Sequence, residues 1–400
     1  MHIYFRAVRR RGAKSFDPII MPEGKQMREV VAEYDARNAM ENGENTTERG
    51  GGNAFYHMLL RRLSENWNND FSDNFDFGIF GTPERMVVDP RESLKEIELY
   101  LDNLQSMYSL LDDERSRDLF LQLLAFRILG HRKVRLPLSH RLYFEAIDKL
   151  SRLVDTENNT QVRFLDRTKL LYQADLTPVN LPIKIFTTPM TILTQFLLKQ
   201  YEYTTDEMMI IGAQPGDVVI DGGACWGDVA LFFANRVGKS GKVYSFEFIP
   251  GNLDIFSINM GLNPSLGGNV ELIAQPLWSE SGVRTYYRDT GPASNVTLAK
   301  FDGCDGVVDT ITIDDLVSME RLKRVDFIKM DIEGAEQYAL NGARETLQEF
   351  TPKLAITVYH SMNDFSNIIH VINDMNLGYK FYLGHFTIYH GETVLFAIKP

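Results

Sequence analysis

From Asp206 onward, short apolar runs alternate with helix-like stretches, and this alternation limits the fold more than any other feature of the chain. The runs at 217–221, 242–247, 270–275, 325–331 and 354–358 read as strands. Between and after them, 228–237, 251–262, 335–350 and 364–376 carry helical periodicity. Such a pattern predicts a mostly parallel sheet with helices on both faces. Two closing runs, 379–383 and 393–398, lie near enough to form a hairpin. That hairpin would put an antiparallel strand into a seven-stranded sheet, which nicotinamide-binding sheets usually lack.

The preceding half reads differently. Residues 1–52 form an expected flexible arm and linker, ending in the polar, glycine-terminated stretch ENGENTTERGGG. Residues 53–205 form a mainly helical accessory region and connector. Leu94, Ile97, Leu101, Leu104, Tyr108 and Leu111 recur at steps of three and four, giving one apolar stripe. Asp89, Pro90 and Glu92 suit its N-terminus. A second helix spans 114–129, with Gly130 as its stop. Pro178, Pro182 and Pro189 break 160–205 into a connector, with a helix expected over 187–203. The catalytic domain is placed at 206–400.

At 400 residues the chain is long enough for two or more units. A formal net charge of −12 argues against nucleic acid as the main partner. Arg6, Arg9, Arg10, Arg11 and Lys14 cluster near the start, and read as a solvated arm. Two cysteines, Cys225 and Cys304, cannot build a disulfide framework or a four-thiolate zinc site, and a reducing cytoplasm fits them. No apolar run follows the early arginines, so no secretory signal is expected, and no membrane span either. His57, His131 and His140 are scattered without metal-ligand spacing.

Chemistry concentrates at the carboxyl ends of the expected strands. Asp221, Gly222, Gly223, Ala224, Cys225, Trp226 and Gly227 follow the apolar Val218–Ile220 and precede a helix. A tight strand-to-helix turn needs glycines where the backbone approaches a ligand. The spacing is D-x-G-x-x-x-G, and Ala224 breaks the G-x-G-x-x-G dinucleotide register. Asp221 suits a ligand bearing an ammonium group. Glu247 ends the second strand, 26 residues on, where a carboxylate accepts hydrogen bonds from ribose hydroxyls. Gln275, Pro276 and Leu277 lie where an adenine ring could be flanked. The fourth strand runs into Asp331, Glu333 and Glu336, next to the glycine turn if strands one and four are neighbours about 5 Å apart. These acids equally suit the start of the helix that follows. His360 follows the fifth strand at the same edge.

Together these stretches resemble the FkbM family of methyltransferases. The matching segments are VVIDGGACWGDVALFFA, VYSFEFIPGNLDIFSINMGLN, VDTITIDDL, RVDFIKMDIEGAEQYALNGARETL and YKFYLGHFTIYHGETVLFAI, all within 206–400. DFIKMDIEGAE with TITIDDL upstream is the most specific part. Cys225 stands where the family commonly has asparagine, and Phe248 where it has proline. The resemblance implies an α/β fold with a Rossmann-like class I methyltransferase sheet and S-adenosylmethionine as cofactor. It also implies O-methylation of a hydroxyl-bearing acceptor, a sugar, glycan or natural product, mainly in bacteria. The cofactor residues it points to are Asp221, Gly223, Gly227 and Glu247; Gly222, Ala224, Phe248 and Leu277, around the same strand ends, complete the expected cofactor set. Asp331, Glu333 and His360 are the catalytic candidates, and no metal ligands are assigned.

Methyl transfer to a hydroxyl needs alignment with the sulfonium methyl and removal of one proton. His360 or Asp331 is the expected base. If it is His360, the rate should rise with pH through about 6.5. A cation bridging Asp331 and the acceptor oxygen is the minor alternative. A nicotinamide-dependent oxidoreductase and a non-catalytic binding protein on the same fold are the rival readings. Expected partners are the acceptor and, as an open option, a second copy of the chain in a homo-oligomer.

Overall fold

The computed structural model describes residues 50–71, 74, 89–136, 140–164 and 167–400. Most of the expected arm, with its basic cluster, lies outside these residues. The three glycines closing the expected linker instead open a helix, Gly50–Trp67.

The chain divides into two compact units: residues 1–108, 117–140 and 388–390 in the first, and 109–116, 141–387 and 391–400 in the second. The first is helical where described. Phe55, Tyr108 and Phe120 pack there with ring centroids 5.5–6.3 Å apart. The single stripe over 94–111 is carried by two helices, Pro90–Glu98 and Leu101–Leu110. Glu114–Leu129 forms as expected, stopped by Gly130 at φ +79°.

The second unit is built on a seven-stranded sheet. Its strands are β1 (Val218–Gly222), β2 (Lys242–Phe246), β3 (Val270–Ile273), β4 (Phe327–Met330), β5 (Lys353–Thr357), β6 (Lys380–His385) and β7 (Thr393–Ile398). They lie in the order β6-β7-β5-β4-β1-β2-β3. All are parallel except β7, which runs antiparallel to both β5 and β6. This is the Rossmann-like methyltransferase sheet with its C-terminal hairpin. Every residue of β4 is buried, as a strand covered on both faces requires. Each fully buried large apolar side chain contributes about 1.5–3 kcal/mol.

Helices α1 (Asp228–Val237), α2 (Pro250–Leu262), α3 (Glu336–Asn341), α4 (Arg344–Phe350) and α5 (Met362–Asn373) belong to the same unit. α1 starts at Gly227, in the left-handed region at φ +78°, and ends where the Gly238 N–H donates to the Ala234 carbonyl. The helix expected over 335–350 is two, α3 and α4. A Cβ on Gly342, between them, would run into the Trp278 carbonyl oxygen.

Two three-stranded sheets, and a two-stranded pair of Tyr203–Thr204 with Ile210–Ile211, lie where the sequence showed no strands. Val154–Phe164, Arg167–Asp175 and Lys184–Thr187 form an antiparallel sheet in the region read as connector. Arg284–Tyr287, Val296–Thr297 and Gly306–Asp309 form another, inserted between β3 and β4. Over 187–203 only a short turn and the π-helical Ile192–Leu197 appear. Among the described residues, no helix is long and apolar enough to cross a membrane.

Candidate active site

The glycine turn leaves β1 with its backbone pressed against the end of β4. Gly223 has φ +80°, and a Cβ there would fall on the carbonyl oxygen of Asp331. Only glycine meets both conditions. The N–H groups of Gly223 and Ala224 donate to the Phe246 carbonyl at 3.2 and 2.9 Å, tying the turn to β2. At Gly227 a Cβ would press on Met260 and Phe256 of α2, at 2.7 and 2.9 Å. Cys225, between them, holds a left-handed φ of 48° without being glycine, a strain of about 1–2 kcal/mol.

Gly223, Glu247, Phe248, Leu277, Asp331 and Glu333 line one cleft over the carboxyl ends of β1, β2 and β4. Its volume is about 550 Å³, including the part open to solvent. Open parallel sheets bind ligands at this edge. Gly222, Ala224 and Gly227 shape the turn without lining the cleft.

Glu247 is buried at its edge and held by its neighbours. Phe248 and Ile249 donate their N–H groups to Oε1 at 2.6 and 2.8 Å, and Asn252 Nδ2 donates to Oε2 at 3.0 Å. Burial pushes its carboxyl up to about 7, against the lowering effect of those hydrogen bonds. Asn252 in turn accepts from Trp226 Nε1 at 3.1 Å. Asn252 and the segment 291–296 line the cleft, and sequence reasoning missed both. Gln275 and Pro276, flagged beside Leu277, line it as well.

Asp221 lies elsewhere. It is fully buried, does not line the cleft, and pairs with Lys329 Nζ at 3.1 Å; Ser245 Oγ donates to it at 3.2 Å. Lys329 also donates to the carbonyls of Gly222 and Gly223 at 2.9 and 2.8 Å. The ammonium facing Asp221 is thus the chain's own. The expectation of a direct cofactor contact is not supported here: the carboxylate is paired within the sheet and does not line the cleft.

Asp331, Glu333, Glu336 and His360 meet where β4 and β5 end. His360 Nε2 is 3.2 Å from Asp331 Oδ1 and 3.8 Å from Glu333 Oε2, and Nδ1 is 3.3 Å from Glu336 Oε1. Tyr201 donates its hydroxyl to Asp331 Oδ2 at 2.9 Å, while Thr357 and Tyr359 donate to Oδ1 at 3.3 and 3.4 Å. Glu333 has a left-handed φ of 56°. A second cleft, lined by Glu333, His360, Gln337, Tyr338 and Asn341, shares Glu333 with the first, while Asp331 lines the first alone.

These surroundings fix protonation. Burial alone would lower His360, but the carboxylates of Asp331, Glu336 and Glu333 that face its ring hold it well above the ordinary histidine value. Burial alone would raise Asp331, and the imidazolium, Lys329 and the Tyr201 hydroxyl outweigh it, leaving the carboxyl well below the usual range. Burial, together with Asp331, Glu336 and Glu392, pushes Glu333 up to about 8 against the opposing effect of His360. The facing carboxylates thus favour the charged ring, against the expectation of a base near 6.5. An imidazolium has no lone pair free for a proton.

Residues 211–381 match the family model for the methyltransferase FkbM domain. This part of the chain carries an FkbM methyltransferase domain. The FkbM domain spans β1 to β5 and both clefts. Among solved structures, the chain is similar to methyltransferase FkbM from Methylobacillus flagellatus KT, at 17% identity over 92% of this chain and 77% of that one, with a TM-score of 0.47. It is similar to Aeropyrum pernix fibrillarin, solved with natively bound S-adenosyl-L-methionine, at 12% identity over 60% and 99%, TM-score 0.31. A SAM dependent methyltransferase from Aquifex aeolicus aligns at 16% identity over 53% and 94%, TM-score 0.30. Among curated proteins, no sequence matches significantly.

Proposed function

We propose that the chain transfers a methyl group from S-adenosylmethionine to a hydroxyl of a sugar, glycan or natural-product acceptor. The observation that carries this reading is Glu247, a strand-end carboxylate fixed by two backbone N–H groups and Asn252 at the rim of the cleft beside the glycine turn. A carboxylate at that position is suited to a ribose diol. Leu277 and Pro276 offer an apolar flank for the adenine, and Gly223 lets the backbone approach the methionine portion. The acceptor enters by the second cleft, where Gln337 and Asn341 offer hydrogen bonds and Tyr338 an aromatic face. The methyl passes at Asp331 and Glu333, the latter shared by both clefts. Two free thiols, Cys225 and Cys304, agree with a reducing, cytoplasmic setting.

Alignment of acceptor oxygen, methyl and sulfur supplies much of the rate. Calorimetric titration with S-adenosylhomocysteine tests the cofactor assignment. Wild-type protein is expected to bind one equivalent. Glu247→Ala should lose roughly tenfold or more in affinity, in line with about 1.5–3 kcal/mol for hydrogen bonds to a charged group, while melting as a folded protein. Unaltered affinity in that folded variant, or fluorescence-detected binding of reduced nicotinamide in its place, would overturn the proposal.

A further inference from the structure

We infer that Asp331, Glu333 and His360 form a site for a divalent cation of the magnesium–manganese class, on which the acceptor hydroxyl is bound. One ligand atom from each residue lies within 4.8 Å of the other two. His360 Nε2 stands 3.2 Å and 3.8 Å from the two carboxylates. Ligands on opposite sides of a cation with bonds of about 2.1 Å are about 4.2 Å apart. Adjacent ligands are about 3 Å apart, so both separations from Nε2 fall between the adjacent and the opposite spacing.

The histidine supplies a second, independent observation. Its side chain is only 10% exposed, yet neither ring nitrogen is in line for a hydrogen bond. Nε2 lies near the Asp331 and Glu333 oxygens without a hydrogen bond to either. Behind the ring, Glu336 faces Nδ1 at 3.3 Å and is itself fully buried. The Ile332 N–H and the Thr357 hydroxyl donate to the same Glu336 oxygen, at 2.9 and 3.3 Å. A carboxylate holding the far nitrogen of a histidine is the arrangement that orients metal-ligating imidazoles. Three carboxylates around one imidazole also leave the pocket net negative even when the ring is charged, and a divalent ion corrects that deficit. Two carboxylates with one imidazole suit manganese, and three protein ligands leave coordination positions open towards the clefts.

The inference rests on the methyl-transfer reading and supplies its missing step. Asp331 accepts from three hydroxyls and faces His360, so neither expected base is free for a proton. A hydroxyl bound to a divalent ion is acidified without one. Its O–H proton leaves to water in the open cleft. The oxygen forms the O–CH₃ bond as the S–CH₃ bond breaks, and that electron pair stays on sulfur as the neutral thioether.

The test is Mn²⁺ titration of the full chain after EDTA treatment and desalting, followed by electron paramagnetic resonance of free Mn²⁺. One saturable Mn²⁺ per chain is expected. Glu333→Gln and His360→Gln should each weaken it at least tenfold. Glu336→Gln should weaken it roughly 10–100-fold, as changes behind a ligand do. The exposed Glu349→Gln should leave it unchanged. Thermal melts establish that each variant is folded. No saturable binding by wild type up to about 1 mM, or wild-type affinity retained in the folded Glu333 and His360 variants, would overturn the inference. S-adenosylhomocysteine binding, measured in chelator, keeps the two proposals apart. Cofactor binding without Mn²⁺ binding removes the cation site alone, and Mn²⁺ binding without cofactor binding removes the methyl-transfer reading alone.

Discussion

Lys329 and Asp221 are direct cross-strand partners on β4 and β1, and both side chains are buried. Removing one member of such a pair leaves an uncompensated charge in the sheet. Asp221→Ala is therefore expected to lower unfolding free energy by about 3–5 kcal/mol, measured by denaturant titration. Adding Lys329→Met should restore part of it, and a fully stable single variant would contradict the pairing. Sequence picked out Asp221 as exceptional but not its partner in the sheet. A strand-end acid looks the same whether its cation is a ligand or a lysine 108 positions away, and only the strand register distinguishes them. Glu247 was legible in position, and its protonation was not. Held up to about 7 by burial, it binds more protons folded than unfolded, so its stabilising contribution is complete below about 4.5 and is lost as pH rises through 7. The ionised form is the one that accepts from a ribose. Between pH 6 and pH 8 its population rises from about a tenth to about nine-tenths. Calorimetry should accordingly show S-adenosylhomocysteine binding strengthening up to tenfold over that interval, with the trend absent in Glu247→Gln. A flat wild-type profile would sink this.

At the level of elements, the run over 335–350 shows what a local pattern misses. Its periodicity is continuous, and one glycine inside a helix costs only about 1 kcal/mol relative to alanine. The break into α3 and α4 comes from outside: the Trp278 carbonyl and the Thr312 side chain press on Gly342, where a Cβ would stand 3.2 Å from Thr312 Cβ. Gly342→Ala, helpful for an isolated helix, is expected here to destabilise by about 1–3 kcal/mol through overpacking. A raised melting temperature would contradict the close approach. The inserted sheet between β3 and β4 was hidden for a related reason. Its strands have only two to four residues, too short for a period to register, and Gly291, Ser294 and Asn295 reach the cleft through it. Helix α1, by contrast, forms at the expected residues because its left-handed glycine start and apolar face are both local.

For the molecule as a whole, alternation of strand and helix was enough to foresee the seven-stranded sheet, because each apolar run is local and long. The ion pairs and the two small sheets depend on contacts between distant segments, and stayed invisible. Charge acts at this largest scale too. The chain carries a formal −12, and the second cleft is lined by Glu333 and Asp364 with no lysine or arginine among its lining residues. His360 lines it as well, so the repulsion comes from the long-range field of the whole chain. A neutral or cationic acceptor is expected, and an anionic analogue should be penalised by repulsion over the screening length, about 8 Å at physiological salt and about 30 Å at 0.01 M. Comparing a neutral glycoside with its uronate counterpart as acceptors separates charge from shape. Lowering salt should raise KM for the uronate, while KM for the neutral glycoside stays level. A uronate whose KM falls as salt is removed would mean that a basic surface recruits the acceptor, and would overturn the prediction.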